Sequence, residues 1–271
     1  MAIQLSEHHA TVHYEQPIHI TSFGTLSVHM DGESMDVQTW KSPKVYQLLV
    51  LIVAAGGRHI PVHYICDRMW PNQEADKAMQ NFEFILRRLR QTLQSNLPKP
   101  LKANQVVLLQ HGKISLNPMH CSIDSWQLDA SIQQAKALRA KHQYTQAHRM
   151  EQQVLQMIHG DFLSGESEEL VSAYRHTWHT RMCNWIGETA TLWHKQEVAH
   201  HDIISLLDAG LNIDPYSEQL LCQRIHILHQ AGYRNDAIRY YQDWASLLRQ
   251  TFGLQPSHKV QQAYQAIVQA C

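Results

Sequence analysis

The stretch from Asp67 to Leu93 constrains this chain more than any other: D-R-M-W-P-N-Q-E-A-D-K-A-M-Q-N-F-E-F-I-L-R-R-L-R-Q-T-L. A short helical segment breaks at Trp70-Pro71, because the residue before proline is pushed out of the helical region. A long helix is expected from about residue 72 to 94. Ala78, Phe82, Leu86, Leu89 and Leu93 recur at steps of three and four and form one apolar stripe. At roughly 100° per residue, Lys77, Gln80, Phe84, Arg87, Arg88 and Gln91 lie opposite it. One face is suited to a core and the other to a negatively charged surface. A helix of this kind has the dimensions to enter a DNA major groove.

The chain has 271 residues and a formal net charge of −1. That length allows one large or two ordinary domains. The near-neutral total does not announce a nucleic-acid partner, but the charge is uneven. Within residues 80–113, Arg87, Arg88, Arg90, Lys99, Lys102 and Lys113 face only Glu83. Phosphate contact depends on such a local patch rather than on total charge.

The N-terminus (M-A-I-Q-L-S-E-H-H) lacks a basic segment followed by an apolar run, so no secretory signal is expected. The apolar run from Leu48 to Ala55 is far short of the roughly 20 residues of a membrane span. The five cysteines (Cys66, Cys121, Cys183, Cys222 and Cys271) are scattered and lack any C-x-x-C pairing. They fit reduced thiols in a cytoplasm better than a disulfide framework. The expectation is a cytoplasmic protein without a membrane partner.

No G-x-x-x-x-G-K-[ST], G-x-S-x-G, H-E-x-x-H or G-x-G-x-x-G occurs, so no enzyme is expected. Among 20 histidines, His176, His179 and Cys183 fall at i, i+3 and i+7 on one helical face. That set suits Zn²⁺ or Cu⁺, but spacing indicates no fourth ligand. Coincidences of this kind are common in a histidine-rich chain, and neither metal nor cofactor is expected.

The first 17 residues are polar and read as a loose leader ending at Pro17. From Ile18 to Val37 the pattern is strand-like, with Gly24 and Asp31-Gly32 as turn signals. Ser42-Pro43 reads as an N-cap with proline in the first helical turn. The helix it opens points Val45, Leu48, Leu49, Ile52 and Val53 inward and stops at Gly56-Gly57. A second helix, from about Val62 to Met69, precedes the long one, and Trp70 is expected in the core beneath the turn. Val106 to Leu109 and Lys113 to Leu116 form a hairpin around His111-Gly112. Strands, three helices and a terminal hairpin are the plan of a winged helix-turn-helix.

After Pro118 no strand pattern returns. Amphipathic helices follow, with breaks at Lys141-His142, Gly160-Asp161, Gly165, Asp214-Pro215, Gly232, Gly253 and Pro256. From Ile203 onward, helical hairpins recur at a period compatible with the roughly 34 residues of tetratricopeptide repeats. Ala209 and Ala237, with Tyr240, Tyr241 and Trp244, suit that packing. The expected fold is mainly α: an N-terminal winged helix-turn-helix (α+β), then an all-α tetratricopeptide-like repeat domain. The expected boundaries are a leader at 1–17, a winged helix at 18–118 and helical repeats at 119–271.

These motifs resemble the SARP-type bacterial transcriptional regulators, which join an OmpR-like winged helix to a bacterial transcriptional activator domain. The winged-helix part rests on F-G at 23–24, W-K-S-P-K at 40–44, G-R-H-I-P at 57–61, M-W-P at 69–71 and R-L-R at 88–90. The activator part rests on D-S-W at 124–126, G-D-F-L at 160–163, D-P-Y-S-E at 214–218, A-G-Y-R-N-D-A at 231–237 and F-G-L-Q-P-S at 252–257. The matches keep the family's order over roughly residues 18–270. Phe84 and Ile85 depart from it by making the middle of the long helix unusually apolar, and 166–200 matches only loosely.

The resemblance implies a sequence-specific regulator, an activator, that reads promoter repeats in double-stranded DNA with the helix at about 72–94. It also implies contact between the repeat domain and RNA polymerase or a second copy. Lys77, Arg87 and Arg88 are then candidates for base or phosphate contact. Gln80 and Gln91 are candidates for adenine or backbone. Phe84 would either meet a thymine methyl or pack within the protein. Arg90 turns to the flank, toward a phosphate or an intraprotein carboxylate. His111 and Lys113 would meet phosphate from the hairpin tip. A homodimer and a small-molecule effector are open alternatives. The competing reading is a tetratricopeptide-like interaction or ligand-sensing module whose winged helix does not bind specific DNA.

Overall fold

The computed structural model describes residues 16–35, 40, 42–158 and 160–269. Most of the expected leader, together with Val37 and Lys41, lies outside them. Packing divides the chain into two units, Met1–Tyr174 and Arg175–Cys271.

The first unit opens with strands β1 (Ile18–Thr21), β2 (Ser27–Met30) and β3 (Glu33–Met35). β2 and β3 are joined by Asp31-Gly32, with φ of 48° and 85°. Two left-handed residues make the tight turn whose twist matches a hairpin, hence the Asp-Gly pair. Helix α1 (Pro43–Ala54) buries every residue from Leu48 to Ala54. After the two-residue strand β4 (Ile60–Pro61) come α2 (Val62–Met69) and α3 (Ala75–Gln94). The apolar stripe of α3 is buried as expected, with Phe82 and Leu89 at 0% exposure, and Ile85 joins it. It packs on α1 and α2.

Several details differ from the sequence reading. α3 begins at Ala75 rather than near 72, because Pro71 to Gln73 form a turn in which the Gln73 amide donates to the Trp70 carbonyl at 3.1 Å. Trp70 is half-buried rather than core. A one-turn helix, α4 (Ala103–Val106), precedes the hairpin of β5 (Val107–Gln110) and β6 (Lys113–Leu116). A strand does return after Pro118: β7 (Cys121–Ile123) pairs in parallel with β1, giving the sheet order β3-β2-β1-β7, while β4-β6-β5 form a second sheet. Three residues show no alternation, and their partner lies about a hundred positions away.

Helices α5 (Asp124–Ala140) and α6 (Tyr144–Gln156) then form an antiparallel pair. Buried Glu151 accepts from the Arg139 guanidinium through both oxygens at 2.6 and 2.5 Å. The D-S-W motif ties α5 to the strands and α1. Asp124 accepts from the Ser22 and Phe23 amides at 2.7 and 2.9 Å, and the Trp126 indole donates to the Gly56 carbonyl at 2.8 Å. Gly57 has φ of +71°, and a Cβ there would stand 2.7 Å from the Trp126 ring. Phe162 of G-D-F-L bridges to Phe23.

Helix α7 (Glu168–Lys195) runs from the first unit into the second, which continues with α8 (His200–Ile213), α9 (Glu218–Gln230), α10 (Arg234–Phe252) and α11 (His258–Gln269). Successive helices from α8 pack on one another as tetratricopeptide-like hairpins. Their core includes Leu221, Ile225, Ala237, Trp244, Leu248, Val260 and Ile267. Among the described residues, no helix is long and apolar enough to cross a membrane. Nor, among the described residues, is any group of three His, Cys, Asp or Glu side chains placed to hold a metal. Cys183 is buried, and its thiol donates to the Gly210 carbonyl at 3.8 Å.

Two outcomes follow from this packing. Phe82→Ala removes a fully buried ring and should cost about 3–5 kcal/mol in urea unfolding, with the helical signal retained below the transition. His19 is buried in β1 and shares a hydrogen bond of 2.8 Å with the Ser122 hydroxyl. Burial lowers its imidazole to about 4, opposed by nearby Asp124 and aided by His29. The unfolded chain takes up that proton near pH 6.5, so the contribution is complete above that pH. It declines by up to about 3 kcal/mol as pH falls toward 4. Unfolding midpoints measured across pH 7 to 4 should fall less steeply in His19→Gln than in the parent.

Candidate nucleic-acid interface

Burying one side of α3 leaves the other outward. Lys77, Gln80, Phe84, Arg87, Arg88 and Gln91 are all exposed. Among the described residues, none of Lys77, Arg87, Arg88 or Lys113 belongs to an ion pair. Four cationic groups are therefore available to an anionic partner. Phe84 is 54% exposed, which excludes tucking against the preceding helix. The Arg88 guanidinium lies over its ring, 5.7 Å from the centroid.

Arg90 sits differently. It is half-buried, and its Nε and Nη2 donate to the Val107 carbonyl at 3.1 and 2.7 Å. Its intraprotein partner is thus a backbone carbonyl rather than a carboxylate, and burial lowers its pKa. The Val107 carbonyl lies at the start of β5, so Arg90 fastens α3 to the hairpin. Gln94 adds a second fastening, accepting from the Ala103 amide at 2.8 Å.

The hairpin tip is the two-residue loop His111-Gly112, with φ of 49° and 70°. Gln110 pairs with Lys113 across it, and His111 and Lys113 are exposed. The Gly112 carbonyl accepts from the Val62 amide at 2.9 Å, anchoring the turn to the start of α2. A cleft of about 500 Å³ separates the C-terminal half of α3 from α4 and β5, bringing Arg87 and Gln91 opposite Lys102, Asn104 and Leu109. Lys77 and Gln80 lie toward the other end of α3, away from that cleft. Lys102 and Asn104 were not anticipated as site residues. Lys102 belonged to the basic count at 80–113, but a one-turn helix carries no periodicity to place it.

Residues 123–268 match the family described as bacterial transcriptional activator domain. The chain is also similar to the regulatory protein AfsR of Streptomyces coelicolor, at 22% identity over 251 residues, which are 91% of this chain and 24% of that protein. It thus spans about a quarter of that relative's length. Its fold is similar to that of Mycobacterium tuberculosis EmbR, solved in complex with a low-affinity phosphopeptide. That match has a TM-score of 0.69 at 18% identity and covers 94% of this chain and 65% of the other.

Arg90→Ala should lower stability by about 1–2 kcal/mol in urea unfolding, because the Val107 carbonyl loses both donors. Arg90→Lys should recover only part of it, since an ammonium cannot reproduce the planar fork. Family match, fold and motif order agree: the chain belongs to the bacterial transcriptional activator domain family, in the SARP-type arrangement of a winged helix followed by that domain, which is a transcriptional-regulator family and not an enzyme family.

Proposed function

We propose that this regulator binds double-stranded promoter DNA sequence-specifically in the cytoplasm and activates transcription. In this reading α3 enters the major groove, and Arg87, Arg88 and Lys77 meet guanine edges or phosphates. Gln80 and Gln91 meet adenine or backbone. His111 and Lys113 reach phosphate from the hairpin. Arg90 acts by holding the hairpin against α3, and Lys102 joins the phosphate contacts. The winged helix up to about residue 118 then does the reading, and the helical region after it the activation, with the helical repeats contacting RNA polymerase or a second copy on promoter repeats.

The observation that carries this reading is the outward face of α3. It presents cations that have no ion-pair partner among the described residues, on a helix whose opposite side is locked into the core, in a chain of a transcriptional-regulator family. Guanidinium groups grip guanine or phosphate through two parallel bonds, and each phosphate neutralised releases counterions.

The test is DNA binding at several salt concentrations with a selected site and with random duplex. Affinity for both should fall steeply with salt. Arg87→Ala with Arg88→Ala should weaken site binding on the order of 100-fold or more and reduce the salt slope by about 2. The same variant should keep the parent's unfolding midpoint. Salt-independent retention, or undiminished site affinity in the double variant, would contradict the proposal and favour a protein-interaction module.

A further inference from the structure

Phe84 occupies the middle of the exposed face of α3, one turn after Gln80 and one turn before Arg88. It is one of the described chain's exposed large hydrophobics, at 54%. Packing does not account for it, since the helix buries its other side through Phe82, Ile85, Leu86 and Leu89. An apolar ring at the centre of a polar, cationic reading surface calls for an apolar counterpart in the partner. Among the groups by which base pairs are told apart in the major groove, most are hydrogen-bond donors or acceptors, and the 5-methyl group of thymine is the one apolar projection.

Arg88 makes the ring part of a pair. Its guanidinium lies 5.7 Å from the Phe84 ring centroid, inside the roughly 6 Å range of cation–π attraction. The ring restricts where the arginine points. Positions four apart on a helix are separated by about 6 Å along its axis, which is about two base-pair steps of 3.4 Å. From this juxtaposition we infer that Phe84 and Arg88 form one specificity-determining unit: Phe84 sits on a thymine methyl, and Arg88 grips a guanine within about two base pairs of it. This deepens the DNA-binding reading and rests on it.

The test uses the full chain and a duplex site selected from random sequence. Each thymine of the site is replaced in turn by deoxyuridine, which removes the 5-methyl and leaves base pairing intact. For the parent, one thymine near a guanine should be sensitive, its replacement weakening binding about fourfold, as expected for one buried methyl. In Phe84→Ala, binding to the thymine site should be weaker and should no longer distinguish thymine from deoxyuridine there. The same variant should also discriminate less well against replacement of the neighbouring guanine, because Arg88 loses its platform. Phe84→Leu should keep part of the methyl sensitivity.

Phe84 is exposed, so these variants should unfold at the parent's midpoint. A selected site with no deoxyuridine-sensitive thymine would overturn the assignment while leaving DNA binding intact. So would a sensitivity that persists unchanged in Phe84→Ala, or a Phe84→Ala variant with undiminished affinity. A parent chain that selects no site at any salt concentration would overturn the DNA reading itself, and Phe84 would then belong to a protein contact.

Discussion

The outward face of α3 is set by what the helix buries. Ala78, Phe82, Ile85, Leu86, Leu89 and Leu93 are nearly inaccessible, and together they fix the rotation of the helix on α1 and α2. Interiors are close-packed, so rolling the helix by one position would expose Phe82 and push charge into the core. The cost of that exchange is many times thermal energy. The direction of Lys77, Gln80, Phe84, Arg87, Arg88 and Gln91 is therefore a consequence of the hydrophobic effect. Arg90 and Gln94, at the margin of the stripe, use their polar ends to bring β5 and α4 alongside.

The same economy governs the link between the winged helix and the start of the activator-family region. Asp124 begins α5 and also satisfies two amides in the turn after β1. Trp126 lies on a left-handed glycine and meets the Gly56 carbonyl, with Arg58 stacked on its ring at 4.1 Å. The Tyr64 and Tyr174 hydroxyls share a hydrogen bond between α2 and the beginning of α7, and Tyr46 donates to Glu166. The contacts of Asp124, of Tyr64 with Tyr174 and of Tyr46 with Glu166 satisfy part-buried polar groups. Through Tyr174 the chain packs as one unit, although the family match already begins at residue 123.

Much of this architecture was legible in the sequence because its signals are local. The stripe of α3, Pro43 at the start of α1, the left-handed pairs Asp31-Gly32 and His111-Gly112, and the breaks at Gly232 and Gly253 each announce themselves within a few residues. What escaped was either short or long-range. β7 is three residues pairing with a strand at the other end of the unit, and α4 is a single turn. Arg90 turned to the flank as expected, but its partner is a backbone carbonyl, and no sequence pattern records the direction of a carbonyl. Phe84 was ambiguous for a related reason: helical period placed it outward, whereas hydrophobicity argued for burial. Only the packed neighbours decide between them. The candidate site was thus readable as a face, while Lys102 and Asn104, brought to it by the single turn of α4, were not.

In the proposed function, α3 and the β5–β6 turn together form the DNA-reading surface. Backbone amide shifts of the isotopically labelled full chain, followed during titration with a duplex carrying its selected site, test this most directly. The largest changes should fall on residues 77–91 of α3 and on His111 to Lys113, with little change in α10 and α11. Changes concentrated in α8–α11, with α3 silent at saturating duplex, would contradict it.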